Sequence, residues 1–368
     1  MKPLLWLLAV LLPLSMGGCW GQADIDKVGP ILQLGIESGD DGRLLVTHSF
    51  PVFGAADRNQ EELVSMQCAI LRESREIWRK LSPQIPQGGM LQQYMIAAEL
   101  ARKGIFPWLE VFQRDPLNPP NAHIVVVDGS PKRLMEKAAL FKDKPRTALY
   151  IKKMLENNNE RYTLLTDIFQ FNIKYFAPGI DAVTPLIKLE PKAIRLTGLA
   201  LFSKDRMVGA IDTDQAVLLL AMMGCLREAE YIFRRPPAIP GAGRRKPAAA
   251  AQIAVAKRKV KLQMKAGRPE IELHILFTGV LDEYRWDRMD RLQSQRKLEQ
   301  SFAGELNRRA NELLSYLQQV GSDPIGIGDL VRAGCDQYWR RNDPEQVYQT
   351  ARIRARIKFR ILKYGAIR

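Results

Sequence analysis

The chain has 368 residues, 46% of them hydrophobic and 26% charged, which allows a sizeable core and two or three domains. Its Gly 26 and Pro 22 exclude a collagen-like or wholly low-complexity chain. A formal net charge of +15 suggests an anionic partner such as nucleic acid or a lipid surface, and it says nothing about fold.

At the N-terminus, Lys2 supplies a short positive region and Leu4 to Leu14 (LLWLLAVLLPL) an apolar one of suitable length for a signal peptide. A membrane-spanning helix needs about 20 apolar residues. Pro13, Ser15, Gly17, Gly18 and Gln22 weaken the second half of the uncharged stretch 3–23. Small residues just before a cysteine are what lipoprotein processing requires, and S-M-G-G-C, ending at Cys19, resembles such a lipobox. On that reading a diacylglyceryl group is attached to the Cys19 thiol and residues 1–18 are removed as a signal peptide. A short uncleaved membrane anchor is the alternative. Each buried methylene contributes about 0.8 kcal/mol, so one acyl chain gives marginal attachment and two hold firmly. A lipidated Cys19 would therefore carry the attachment, and basic patches would only orient the protein.

Further along, ILQLGIE (Ile31 to Glu37) and RLLVTHSFPVF (Arg43 to Phe53) read as strands around the turn Ser38 to Gly42. The pattern predicts helices over 60–82 and 90–103, the second ended by Lys103-Gly104. HIVVVDG (His123 to Gly129) is a continuous apolar strand, followed by a helix from Pro131 and two more helical stretches within 143–176. RLTGLALFSKDRMVGAID, from Arg195, reads as a β-hairpin turning at Ser203 to Arg206 and opens a second unit. AVLLLAMMGCL (Ala216 to Leu226) is eleven uncharged residues, too short to span a bilayer, and predicts a buried helix. Residues 234–251 form a basic Pro/Gly/Ala-rich loop. KVKLQMK and EIELHILFTGVL follow as strands on either side of AGRP.

A helix is predicted over 287–320, because Phe302, Leu306, Ala310, Leu313, Leu317 and Val320 recur at intervals of three and four. The last strand alternates strictly. Ala351, Ile353, Ala355, Ile357, Phe359 and Ile361 point one way; Arg352, Arg354, Arg356, Lys358 and Arg360 point the other. Helices mixed with mainly hairpin-linked strands give an α+β fold class with mixed or antiparallel sheets flanked by helices. The expected division is an N-terminal α+β domain over 19–190 and a C-terminal α+β region over 191–368. The loop 234–251 would split the latter into subdomains at about 191–233 and 252–368.

Basicity is local. Residues 234–268 carry eleven Lys or Arg and 351–368 carry seven, with no acid in either, so the rest of the chain has no net positive charge. Five cations on one face of the last strand have two readings. One is a charged edge that discourages aggregation. The other is contact with an anionic surface through Arg352, Arg354, Arg356, Lys358 and Arg360. If KVKLQMK shares that sheet with Lys259, Lys261 and Lys265 outward, like charges would crowd unless an anion or acidic partner is close. Nucleic acid is disfavoured, because the face carries no interleaved aromatics.

No phosphate loop ending in G-K-[ST], no G-x-G-x-x-G, no H-E-x-x-H and no G-x-S-x-G is present. Ser294 and Lys297 match S-x-x-K, but in a charged helical stretch where a desolvated lysine base is hard to make. Cys19, Cys68, Cys225 and Cys335 form no C-x-x-C pair and His48, His123 and His274 are isolated, so there is no zinc signature. With Cys19 consumed by processing, an odd number of thiols remains, which reads as free buried cysteines. His48, beside a proline turn, reads as a surface or half-buried residue. No catalytic, cofactor-binding or metal-binding residue is assigned.

Several stretches occur together and in order over nearly the whole chain. They are Cys19 followed by Trp20; ELARKGIFPWLEVFQRD (Glu99 to Asp115), with an E-x-A-x-x-G helix end and an Arg-Asp pair; and GLALFSKDRMVGAID (Gly198 to Asp212). LLSYLQQVGSDPIGIG (Leu313 to Gly328), a helix leading to D-x-x-G-x-G, and the final strand ending at Gly365 complete the set. This combination resembles the Ger(x)C family of spore germination lipoproteins, the C subunits of nutrient germinant receptors. The resemblance implies a non-enzymatic subunit without a cofactor, made of several α+β domains in an elongated arrangement. It implies a lipid anchor at Cys19 on the outer face of the inner spore membrane, beside two integral-membrane receptor subunits. The basic insertion at 234–251 and the arginine density at the end depart from the family pattern. A lipid-anchored solute-binding protein of the cell envelope is the competing expectation.

Overall fold

The computed structural model describes residues 27–52, 60–116, 118–234, 249–284 and 291–363; Cys19 and most of the basic loop lie outside them. In chain order the first strands are β1 (Val28–Pro30), β2 (Gln33–Ser38), β3 (Leu44–Pro51), β4 (Glu61–Cys68), β5 (Ile85–Gln87), β6 (Gln93–Ala97) and β7 (His123–Val127). They are followed by β8 (Val183–Glu190), β9 (Ala193–Ser203), β10 (Arg206–Asp212), β11 (Ala229–Phe233), β12 (Ala249–Lys265), β13 (Arg268–Glu283) and β14 (Arg352–Lys363). The helices are α1 (Glu73–Leu81), α2 (Ala98–Ala101), α3 (Phe106–Gln113), α4 (Pro131–Ala138), α5 (Thr147–Asn158) and α6 (Ile168–Phe176). After them come α7 (Thr213–Met223), α8 (Leu292–Val320), α9 (Ile327–Gly334), α10 (Asp336–Arg341) and α11 (Pro344–Thr350).

An eight-stranded mixed sheet runs β10-β9-β8-β7-β6-β2-β3-β4, a four-stranded one runs β11-β12-β13-β14, and β1 pairs with β5. The continuous apolar run of β7 is buried on both faces, as a central parallel strand requires. Tyr94, Ile96, Ile124 and Val126 point into one core with α1, α3 and α6. Met95, Val125 and Val127 point into another with α4 and α5 on the opposite face. The fold is α+β, with mixed sheets flanked by helices.

Two expected helices are corrected. Over 90–103 only Ala98–Ala101 is α-helical, and Gln93–Ala97 is the parallel strand between β2 and β7. A strand buried on both faces loses its alternation and reads like part of a helix. Over 60–82, Glu61–Cys68 is an edge strand paired antiparallel with β3, and the helix is confined to Glu73–Leu81. There the tertiary ladder overrides a weakly alternating pattern. Gly104 does take a positive φ of 111° just past α2.

The hairpin of β9 and β10 forms as expected, but as the edge of the first sheet. β9 pairs with β8 from Val183↔Leu201 to Glu190↔Ala193, with one register shift between Leu186 and Ile187, so a hydrogen-bonded ladder crosses the junction expected at 190/191. The second sheet packs its inner face on α8, whose Leu298, Phe302, Leu306, Ala310, Leu313, Leu314 and Leu317 are buried, while Val320 stays half-exposed. Phe302 stacks on Phe233 with centroids 3.6 Å apart and meets Phe359 edge-on at 5.3 Å. β14 runs parallel to β13, which the long crossover through α8 makes possible.

Two glycines make opposite demands. Gly198 has φ 143°, and a Cβ there would stand 1.9 Å from the Ile211 carbonyl oxygen. Gly304 lies within α8 with nothing within 4 Å of such an atom. Backbone strain of the first kind costs on the order of 1–3 kcal/mol, so Gly198→Ala should lower the urea unfolding midpoint. Gly304→Ala should raise it, by about 0.5–1 kcal/mol of stability.

Candidate functional site

The two basic segments meet on one surface. Across β12, β13 and β14 the register places Lys257, Leu276 and Lys358 in one row, Lys259, His274 and Arg356 in the next, and Lys261, Glu272 and Arg354 in a third. Gln263, Glu270 and Arg352 form a fourth row. Arg352, Arg354, Arg356, Lys358 and Arg360 are all exposed, as the alternation predicts, and so are Lys257, Lys259, Lys261 and Lys265.

The middle strand supplies the acids that keep this array from repelling itself. Glu272 accepts from Arg356 Nε at 2.9 Å and Nη2 at 2.7 Å and hydrogen-bonds His274 Nε2 at 3.0 Å. The Arg356 hydrogen bond holds the Glu272 carboxyl below its ordinary value. Glu270 accepts from Gln263 at 3.2 Å and pairs with Lys265 at 3.7 Å. Among the described residues, no ion pair is formed by Arg352, Arg354, Lys358, Arg360, Lys257, Lys259 or Lys261. The surface is therefore internally braced and still strongly cationic.

The outer edge of the same sheet is covered along much of its length. Asn307 of α8 donates to the Ile357 carbonyl at 2.8 Å and accepts from the Ile357 N–H at 2.7 Å. Asn311 does the same to Ala355, at 3.1 Å in both directions. Glu299 accepts from the Ile361 N–H at 2.8 Å and Gln318 donates to the Ala351 carbonyl at 3.0 Å. Side-chain amides thus stand where a neighbouring strand would otherwise pair. A partner is offered the face of this sheet, with its edge largely occupied.

A second constellation joins the quoted sequence stretches. Asp323 and Gly326 and Gly328 beyond it wrap a tight loop: Asp323 accepts from the N–H groups of Gly326 at 2.9 Å, Ile327 at 2.9 Å and Gly328 at 2.7 Å. Asp181 bridges the two halves, accepting from the N–H of Lys204 at 2.9 Å and of Asp323 at 2.9 Å. Ser322 Oγ donates to the Phe202 carbonyl at 2.6 Å, and Tyr348 OH donates to the Ser322 carbonyl at 2.8 Å. The next residue along, Asp205, takes the N–H groups of Ile105 at 2.9 Å and Phe106 at 3.3 Å. A Cβ on Gly328 would lie 2.6 Å from Gly179 Cα, which explains the last glycine of D-x-x-G-x-G. Beside these groups lies a cleft of about 420 Å³ lined by Asp181, Lys204, Asp323, Glu345 and Tyr348. Its two carboxylates, Asp323 buried and Asp181 half-buried, are engaged by backbone N–H groups, so their first task is to hold the first sheet against the α8–α9 corner.

Burial, reinforced by Asp181, pushes the Asp323 carboxyl up to about 7 against the pull of its backbone donors. His48 corrects an expectation: it is buried in β3, with Nε2 3.0 Å from Ser74 Oγ, because α1 covers that strand. Burial, with help from Arg75, lowers it to about 3. Lys297 is exposed, which leaves the S-x-x-K match without a desolvated base. Cys68, Cys225 and Cys335 are free thiols. Among the described residues, no cluster of His, Cys, Asp and Glu is arranged to hold a metal, and no helix is long and apolar enough to cross a membrane. Asp181 stands in no motif and could not be singled out from sequence; Asp323 stood in one without a role.

The site thus joins two α+β halves through carboxylates bound to backbone N–H groups, and one half presents an open cationic sheet face. Residues 21–189 match the family model for the spore germination protein N-terminal domain, and residues 197–365 match that for the spore germination B3/GerAC-like C-terminal domain. The chain belongs to this GerAC-like family of spore germination proteins. It is 21% identical over 365 residues to the spore germination protein GerQC of Bacillus cereus, covering 98% of both chains. Its fold matches the crystal structure of the GerBC protein with a TM-score of 0.57 at 17% identity, over 89% of this chain and 96% of that one.

The raised Asp323 pKa has a definite sign. Native Asp323 holds a proton where the unfolded side chain, near 3.9, has lost it. Its contribution is complete below about pH 4 and is lost as pH rises through about 7. His48, with a depressed pKa, acts oppositely: its contribution is present above about 6.5 and is lost as pH falls through about 3. Comparing urea midpoints of the parent and Asp323→Asn between pH 4 and 8 isolates the first effect. The parent should lose stability relative to the variant as pH rises. Asp323→Ala, which orphans three buried N–H groups, should cost at least about 2 kcal/mol at any pH.

Proposed function

We propose that this protein is the membrane-tethered lipoprotein subunit of a spore nutrient germinant receptor, acting in receptor assembly or signalling without catalysing a reaction. Membership of the germination family over nearly the whole chain carries this reading. The diacylglyceryl group on Cys19 holds the subunit to the outer face of the inner spore membrane. Its partners are the two integral-membrane subunits of the receptor. The cationic face of β12–β14 meets an anionic surface there, either lipid headgroups or acidic loops of a membrane subunit. Seven outward cations that form no ion pair among the described residues support that contact, and the occupied edge of β14 directs it to the face.

Two measurements test this. Intact-mass analysis of the native protein should give a chain beginning at Cys19 with a diacylglyceryl mass; any other start, or an unmodified cysteine, contradicts the anchor. Arg352→Gln, Arg354→Gln and Arg360→Gln combined should abolish a salt-sensitive association with anionic vesicles or purified partner. Screening over about 8 Å at physiological ionic strength makes a real surface contact weaken as salt rises. Each change is an ordinary surface substitution worth within about 0.5 kcal/mol of stability. If the triple variant binds and supports germination like the parent, the face is only solvated.

A further inference from the structure

Helix α6 is apolar on both sides. Ile168 and Phe171 face the core, where Phe171 meets Phe202 edge-on at 5.2 Å. Phe169, Ile173 and Phe176 face outward, 63%, 54% and 69% exposed. They fall at i, i+4 and i+7, which makes a single stripe along the helix. The N-terminal end of α3 widens it. Phe106 stacks on Tyr175 at 4.2 Å and meets Phe176 edge-on at 5.7 Å, with exposed Pro107 beside it. Apolar patches of this kind on a soluble surface mark an interaction site. Neither the cationic face nor the buried carboxylates involve these side chains.

The position of the stripe selects its occupant. β2, β6 and β7 are parallel, and Gln33, Gln93 and His123 share one row, so these three strands begin at the same end of the sheet. The described chain enters at that end, since β1 pairs with β5 and Ile31 N–H donates to the Gln87 carbonyl there. Helix α6 starts from the same end, where Asp167 bridges to His123 and the Phe169 N–H reaches the Pro120 carbonyl. Cys19 lies eight residues before Lys27. Fully extended, such a connection spans at most about 28 Å. An acyl-anchored Cys19 therefore keeps this end of the sheet near the bilayer surface.

We propose that the outward stripe of α6, Phe169, Ile173 and Phe176, lies in the interfacial layer of the membrane that carries the Cys19 anchor. This rests on the lipid-anchored reading above. Helices that lie in the interface carry Phe, Trp or Leu on their buried face, so the Phe169 and Phe176 rings would enter the acyl boundary. The stripe gives the tethered subunit a fixed orientation, which an acyl chain alone does not.

The test uses the full-length lipidated protein in vesicles of phosphatidylcholine and phosphatidylglycerol with brominated acyl chains. Ile173→Trp is compared with Leu140→Trp, which sits 69% exposed beyond α4 on the opposite face of the sheet, after subtracting the emission of the parent. Phe176→Trp serves as the second variant at the stripe. Emission from the substituted α6 positions should be blue-shifted and largely quenched, and that from position 140 unaffected. If the protein floats with the vesicles but neither α6 position is quenched, the proposal fails and the anchor stands. If the parent does not float at all, anchor and stripe fail together. Should Phe169→Ser with Phe176→Ser dissolve a dimer of the chain, or release a protein partner with no change in lipid quenching, the stripe belongs to that partner and the proposal is wrong.

Discussion

A helix with no polar face has to be covered on every side, and α7 imposes that condition on the molecule. Ala216 through Met222 are all buried, a run that one sheet could cover only in part. β9 and β10 of the first sheet cover part of it; β12, β13 and α8 of the second cover the rest. Full burial of each leucine there is worth about 1.5–3 kcal/mol, so separating the sheets would expose a large apolar surface. The ends of α7 are as firmly set as its flanks. Asp212 and Gln215 form a reciprocal cap, Gly224 closes the helix at φ 83°, and Arg258 from β12 donates to the Met222 carbonyl at 2.6 Å. The cation at that last position also suits the negative end of the helix dipole.

The carboxylate loop works on the same seam. Asp181 precedes β8 and Asp323 follows α8, and each takes backbone N–H groups that would otherwise be buried without partners. Desolvation holds both carboxyl groups above their ordinary pKa, with Asp181 adding to the effect on Asp323 and Glu345 to that on Asp181. The arrangement is tolerable because the donors are fixed backbone groups. It ties the turn between β9 and β10 to the corner between α8 and α9, so the two halves matched by separate family models share a core and a hydrogen-bonded joint.

Much of this was legible in advance, wherever burial is one-sided or complete over a long run. The alternation of β14, the stripe of α8, the apolar run of β7 and the uncharged run from Ala216 within α7 each admitted one reading. Short strands were harder. β6 is buried on both faces and shows no period of two, and β4 is an edge whose alternation is confined to Val64, Met66 and Cys68. The cationic face was half visible: each basic segment stood out, but that Glu270 and Glu272 separate them depends on strand order, which pairing alone decides. Asp181 and the outward stripe of α6 were silent for a similar reason. An isolated aspartate carries no motif, and an apolar helix does not declare which of its faces will be left uncovered.

The surfaces divide into distinct parts. One sheet presents cations on its face and an edge occupied by Asn307 and Asn311; the opposite half presents aromatic side chains near the entry of the chain. That distribution leaves two chemically different surfaces open for contact, one cationic and one apolar. The proposed function makes the protein a subunit of a membrane receptor. Affinity isolation of the full-length protein from spore inner membranes, with identification of what comes with it, tests that claim most directly. Two integral-membrane proteins of one receptor should be recovered in constant proportion to it, and recovery of the subunit without any membrane partner would contradict the account.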